Sequence, residues 1–124
     1  MKLIAKWSMP LRTISEANSS EHWRYKHARH RMQKHWIKNY WLKEQQKFDL
    51  PIHIKLTRYA PNRLDQWDNL PMSFKWILDC LAELIRPGLA AGRADDTDQI
   101  TVEYHQVKDS KYKIEIEFYQ IGSP

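Results

Sequence analysis

The sequence predicts an α/β fold: a single domain over residues 1–124, elements in the order β-α-β-α-β-β, and a mixed sheet with two helices packed on one face. Three observations carry this. A long segment after residue 20 has helical periodicity, residues 52–58 alternate strictly between apolar and polar, and two more alternating segments close the chain. A chain of 124 residues with 42% hydrophobic content supports one core and leaves no room for a second.

Lys2 to Trp7 reads as a short first strand, and Pro10 opens a connecting loop that runs to Ala17. Asn18-Ser19-Ser20-Glu21 has the arrangement of a capping box and predicts a helix from about Ser20 to Lys47. Its expected inward stripe is Tyr25, Ala28, Met32, Trp36 and Tyr40, widened by Ile37 and Trp41, with Arg24, Arg29, Arg31, Lys34 and Lys38 opposite. Pro51 begins the second strand, Ile52 to Arg58, whose alternation marks one buried face. Asp68 and Asn69 before Pro71 signal a second helix, because proline tolerates the first turn and Asp or Asn caps it. That helix turns Phe74, Ile77, Leu78, Leu81, Leu84 and Ile85 inward and stops at Arg86-Pro87-Gly88. The Gly/Ala/Asp-rich stretch from Pro87 to Gln99 is longer than an ordinary connector, which favours a functional loop. Ile100–Tyr104 and Tyr112–Phe118 then read as a hairpin joined at Asp109-Ser110.

The formal charge of +5 is unevenly divided. Residues 1–63 hold fourteen Lys/Arg against four acids, a balance of +10, and residues 64–124 hold six against eleven, a balance of −5. A basic half joined to a carboxylate-rich one suggests phosphate binding beside cation binding. No run approaches the roughly eighteen apolar residues of a membrane span, so the expectation is a soluble, cytoplasmic protein with no membrane partner. The one cysteine, Cys80, sits among Ile77, Leu81 and Leu84 and reads as a small core residue.

The carboxylates of the acidic half concentrate in two places, Asp65 with Asp68 and Asp95-Asp96-Thr97-Asp98. Clustered aspartates repel one another unless a cation sits among them, and Mg²⁺ takes one or two carboxylates plus waters and substrate phosphates. Taken singly, Asp68 or Asn69 serves equally well as a helix cap and the second group as a solvated turn. Their joint occurrence at two element ends, with a basic helix elsewhere, favours metal-assisted phosphodiester hydrolysis. Lys75 either neutralises a phosphate or leaving oxygen or pairs with Asp79 at i, i+4. His27 and His30 have a spacing zinc uses, but no third ligand accompanies them.

Several of these residues together resemble a family. Thr57-Arg58, Arg63-Leu64-Asp65, Asp68-Asn69-Leu70, Phe74-Lys75, Asp79 and Asp95-Asp96 resemble the RusA-like Holliday-junction resolvases, prophage members included, over roughly residues 50–118. A looser likeness runs through Ser15 to Trp23. The resemblance implies a metal-dependent, structure-selective endodeoxyribonuclease that cuts four-way DNA junctions as a homodimer with Mg²⁺ or Mn²⁺. Asp68 matches the second aspartate of the family's first pair; Gln66 stands where its partner usually lies, and Asp65 is the carboxylate one residue further away. The family's third aspartate falls at Thr97, flanked by Asp96 and Asp98, and the doublet Asp95-Asp96 favours Asp96. The implied catalytic set is Asp65, Asp68, Asp96 and Lys75, with Asp65, Asp68, Asp96 and Asp98 as metal ligands. Branched DNA would be held by Arg24, Arg29, Arg31, Lys34, Lys38, Arg58 and Arg63. The alternative is a non-catalytic basic nucleic-acid-binding module with a degenerate metal site, resting on the +10 N-terminal half and on Gln66 in the expected ligand position.

Overall fold

The computed structural model describes residues 1–15, 22–45, 47–87 and 99–122. Strands β1 (Lys2–Met9), β2 (Ile52–Ala60), β3 (Ile100–Lys108) and β4 (Lys113–Gln120) form one mixed sheet in the order β1-β4-β2-β3. Helices α1 (Trp23–Glu44), α2 (Asn69–Ser73) and α3 (Lys75–Ile85) form the second layer. This is the expected α/β architecture, with the second predicted helix divided in two.

β2 holds the centre because it is the strand with the most covered surface. Ile52, Ile54 and Leu56 are fully buried on one side, and Thr57 and Arg58 are buried as well. It pairs antiparallel with β4 and parallel with β3, so both of its edges are hydrogen-bonded. The expected β3-β4 hairpin is therefore corrected: β2 lies between them. Two strand spacings are about 9.6 Å, and the four residues from 109 to 112 can reach roughly 13 Å. As the chain crosses the end of β2, Asp109 N–H donates to the Ala60 carbonyl at 3.0 Å.

The core lies between the helices and one sheet face. Trp7, Met9, Ile54, Leu56, Ile114, Ile116 and Phe118 meet Ile37 of α1, Leu70 of α2, and Ile77 and Leu81 of α3. An aromatic cluster docks the C-terminal half of α1. Trp7 stacks on Tyr40 with centroids 5.5 Å apart and meets Phe118 edge-on at 4.7 Å, while Phe48 bridges Phe118 (4.5 Å) and Trp41 (5.5 Å). The Tyr40 hydroxyl also donates to the Ser8 carbonyl.

This docking sets the rotation of α1 and corrects its predicted stripe. The buried residues are Gln33 and Ile37, with Trp36, Tyr40 and Trp41 packed beside them, whereas Tyr25 and Met32 are 67% and 54% exposed. At 3.6 residues per turn, Tyr25 and Met32 lie more than about 100° around the helix from Ile37. Once the aromatic cluster fixes Ile37 inward, they turn out. The described helix starts at Trp23, with the His22 side chain accepting from Arg24 N–H at 3.2 Å; the capping box at residues 18–21 lies outside the described residues.

The second helical segment breaks at Phe74, whose backbone (φ −101°, ψ 0°) leaves the helical region while its ring is fully buried. Positions 68, 75 and 79 thus do not share one continuous helix. Cys80 is half-buried on α3, and burial pushes its thiol up, as suits a packing residue.

The sheet face away from the core is polar and crossed by ion pairs. Lys6 meets Glu115 at 2.9 Å, Lys55 meets Glu117 at 3.7 Å, and Glu103 accepts from both His53 (3.0 Å) and His105 (2.7 Å). The Tyr59 hydroxyl, followed by Lys6, holds the Glu115 carboxyl below the ordinary glutamate range, and Tyr59 is itself pushed up to about 12, chiefly by that same carboxylate. Glu103 is lowered likewise, first by His105 and then by His53. A carboxylate with a depressed folded-state pKa contributes stability above its unfolded value, near 4.3, and loses it as pH falls through the lowered value. Thermal melts should therefore hold their midpoint down to about pH 4.3 and drop below it. Glu115→Gln should lower the midpoint at neutral pH and flatten that acid limb; an unchanged limb would refute the assignment.

Candidate metal and nucleic-acid site

The parallel pairing of β2 with β3 decides what the first aspartate group must do. Ile52 pairs with Ile100 and Ala60 with Lys108, so the end of β2 and the start of β3 lie at opposite ends of the sheet. Eight steps of about 3.3 Å along the nine-residue strand put those ends about 26 Å apart. The chain leaving β2 can approach the start of β3 only by doubling back.

It does so along β3. Leu64 N–H donates to Gln106 Oε1 (3.0 Å), Gln106 Nε2 returns a bond to the Leu64 carbonyl (2.7 Å), and Gln66 Nε2 donates to the Tyr104 carbonyl (2.9 Å). Each step forward in the loop is a step back towards Ile100. Gln66, where the resemblance calls for a carboxylate, is thus a tether between loop and strand.

The loop ends in a corner built on Asp65. Its Oδ1 accepts from Asp68 N–H (2.8 Å), Asn69 N–H reaches both carboxylate oxygens (3.3 and 3.2 Å), and Asn69 Nδ2 donates to Oδ2. Leu70 N–H donates to the Asp65 carbonyl at 3.0 Å. Asp65 therefore caps the free amides at the start of α2, the role first expected of Asp68 or Asn69. The Asp68 amide, followed by those of Asn69, holds its carboxyl below the ordinary aspartate range. Three N–H donors thus engage both oxygens of Asp65, so a cation there would share a carboxylate already used to hold the turn. Asp68 differs: its side chain makes no capping bond and is exposed. Asn69 is held from the other side, where Ser15 Oγ donates to its Oδ1 at 2.6 Å.

The remaining predicted residues are dispersed. Lys75 opens α3 with Nζ over the Trp76 ring at 5.7 Å from its centroid. Asp96 and Asp98 lie outside the described residues. Among the described residues, no group of three His, Cys, Asp or Glu side chains could hold a metal ion. Asp65 and Asp68 still match the oxygen donors of a Mg²⁺ site, which needs only one or two protein carboxylates.

Of the basic set, Arg63 is exposed on the returning loop, while Arg24 and Arg31 line an exposed hollow on α1 with Trp23, Tyr25 and His27. Lys34 and Lys38 lie elsewhere, in a groove between α1 and α3 that also includes Trp41, Trp76, Asp79 and Glu83. Arg29 faces the chain after β1, beside Leu11 and Ile14. Arg58 is corrected from a DNA contact to an internal strut. It is 5% exposed and spends its donors on main chain, Nε to the Thr13 carbonyl (3.2 Å) and Nη1 to the Asn62 carbonyl (2.7 Å). His30 stacks against Trp76 at 4.3 Å and His27 meets Trp23 at 5.5 Å, so the two rings have different neighbours.

Compared with protein-family models, the chain matches none, and no curated protein matches it.

Sequence reasoning missed three contributors. Gln106 continues the inward register of Ile100, Val102 and Tyr104, and a polar residue at an inward position implies a main-chain partner. Ser15 gives no local signal, because its partner is 54 residues away. Trp67, between the two aspartates, is 88% exposed, the most exposed large hydrophobic residue described. Gln106→Ala should destabilise the protein by about 1–3 kcal/mol in urea titrations, because it leaves Leu64 N–H and C=O without partners. It should also open residues 61–68 to protease, whereas Gln106→Glu, which keeps the acceptor, should lose less.

Proposed function

We propose that this chain is a metal-dependent, structure-selective endodeoxyribonuclease that cuts four-way DNA junctions, acting as a cytoplasmic homodimer. The observation that carries the reading is the returning loop, which brings an exposed Asp68 back along β3 towards the strand whose start follows Asp95 to Asp98. No described helix is long and apolar enough to cross a membrane.

In this mechanism Asp68, with Asp96 or Asp98, would hold Mg²⁺ or Mn²⁺. The bound ion would supply an activated water and charge for the departing oxygen. Asp65 holds the turn that aims Asp68, a positioning role that follows from its hydrogen bonds. Lys75 neutralises the phosphate or leaving oxygen by moving its ammonium off Trp76. Arg24, Arg31 and Arg63 are exposed to neutralise flanking phosphates, and the two protomers cut symmetry-related strands.

A second reading, a binding module without cleavage, is favoured by the engagement of both Asp65 oxygens in the turn's own hydrogen bonds, which leaves Asp68 as the carboxylate of the pair not used in the turn. One comparison separates the two. The purified protein should nick a four-way junction with Mg²⁺ or Mn²⁺ but not with EDTA, and Asp68→Asn should abolish nicking while keeping junction affinity within about threefold. Arg31→Ala should lower the slope of log affinity against log salt by about 1. Junction binding without cleavage under either metal would sink the enzymatic reading and leave the module.

A further inference from the structure

The exposed N-terminal half of α1 carries aromatic rings for which the junction-cutting chemistry has no use. We propose that this half-helix and the Pro10–Ile14 segment form a binding track for unpaired nucleotides, in which bases stack on Tyr25 and its aromatic neighbours while arginines hold the phosphates. The inference rests on reading the chain as a nucleic-acid protein, but not on cleavage.

Two adjoining hollows make up the track. The first, about 720 Å³, runs between Pro10–Ile14 and α1, walled by Leu11, Ile14, Tyr25, Met32 and Trp36 with Arg12 and Arg29 beside them. The second, about 580 Å³, lies further towards the start of α1 and pairs Trp23 and Tyr25 with Arg24 and Arg31. Tyr25 belongs to both. From Trp23 to Trp36 the helix rises about 20 Å, room for a few successive nucleotides.

The chemistry of the lining selects the occupant. A surface for an apolar protein helix would not place four arginines around its aromatics, and a purely electrostatic duplex contact would not expose Trp23, Tyr25 and Met32 at 61%, 67% and 54%. Cationic side chains interleaved with exposed aromatic rings are what single strands require, because every base has a face to stack and every linkage a charge. One ring and one arginine of the track have neighbours that orient them. Trp23 packs between His22 (5.4 Å) and His27 (5.5 Å), and the Arg12 guanidinium sits 4.5 Å over the Tyr112 ring. The histidine contacts reduce what ordering the Trp23 ring would cost on binding.

Gln33, in the wall of the first hollow, adds a means of contacting base edges. It is 3% exposed, and its Oε1 has no hydrogen-bond partner among the described residues. A buried acceptor left unpaired favours any rearrangement that supplies a donor. Rotation about the broad terminal torsion of Gln33 would turn its amide towards a base in the hollow, whose amine or imino N–H can donate.

The test separates stacking from charge. Binding of a ten-nucleotide oligo(dT) is compared with that of a strand of ten abasic spacers carrying the same phosphates, for the native protein and for Tyr25→Ala and Trp23→Ala, both exposed positions where truncation leaves the core intact. The native protein should prefer oligo(dT) by about tenfold or more, as base stacking on an aromatic ring gives. Tyr25→Ala should remove most of that preference while leaving affinity for a fully paired duplex within twofold. Equal binding of the two strands by the native protein, or an equal loss on duplex and single strand in Tyr25→Ala, would overturn the track. If the native protein cuts junctions yet shows no base-dependent binding, the track alone fails; if it binds no nucleic acid of any form, the proposed function fails with it.

Discussion

The parallel pairing of β2 with β3 constrains everything else in this molecule. Two parallel neighbours begin at the same end of a sheet, so the connection between them must travel the length of a strand, and here α2 and α3 occupy that journey. The loop after β2 cannot lead straight to the start of β3. It returns along β3, held by side-chain amides that stand in for a strand's own hydrogen bonds, and the acidic corner rides on that return. An antiparallel β3 would have needed no such loop and would have left Asp65 and Asp68 elsewhere.

α1 shows a second division of labour within one element. Its C-terminal half is fixed by the aromatic cluster of Trp7, Tyr40, Trp41, Phe48 and Phe118, which couples it to β1 and β4. Its N-terminal half carries comparable aromatic content but leaves it in solvent beside arginines. One helix is therefore anchor at one end and exposed surface at the other. The basic side chains follow the same split: Arg24 and Arg31 belong to the exposed half, whereas Lys34 and Lys38 face α3.

The strands and helices were legible wherever periodicity was strong, as in Ile52–Ala60 and the Ile77 to Ile85 stretch. Three things were not legible, and each has a physical cause. The hairpin at the C-terminus was misread because local alternation is silent about a third strand inserted between two sequence neighbours. The stripe of α1 differs from expectation because Tyr25 and Met32 lie on nearly the same helix side as Trp36, and only the docking to Trp7 and Phe118 near the C-terminal half decides how much of that side is covered. The cap of α2 was assigned to Asp68 or Asn69 because they adjoin Pro71, whereas the carboxylate that reaches the free amides is Asp65, one turn earlier. For the site, the segment Asp65 to Asn69 stood out in the sequence, but its tethers Ser15 and Gln106 did not, since they come from segments far along the chain.

Those tethers bear on when the corner comes into being. Ser15, Asn69, Leu64 and Gln106 meet across separations of 54 and 42 residues, and Gln66 meets Tyr104 across 38. A chain emerging from the ribosome possesses both aspartates long before it possesses β3. Until β3 is made, Gln66 and Leu64 lack their partners Tyr104 and Gln106, and only the turn's own bonds and Ser15 are available to hold the corner. The position of the corner along β3 is therefore a product of the finished sheet rather than of the segment that carries it.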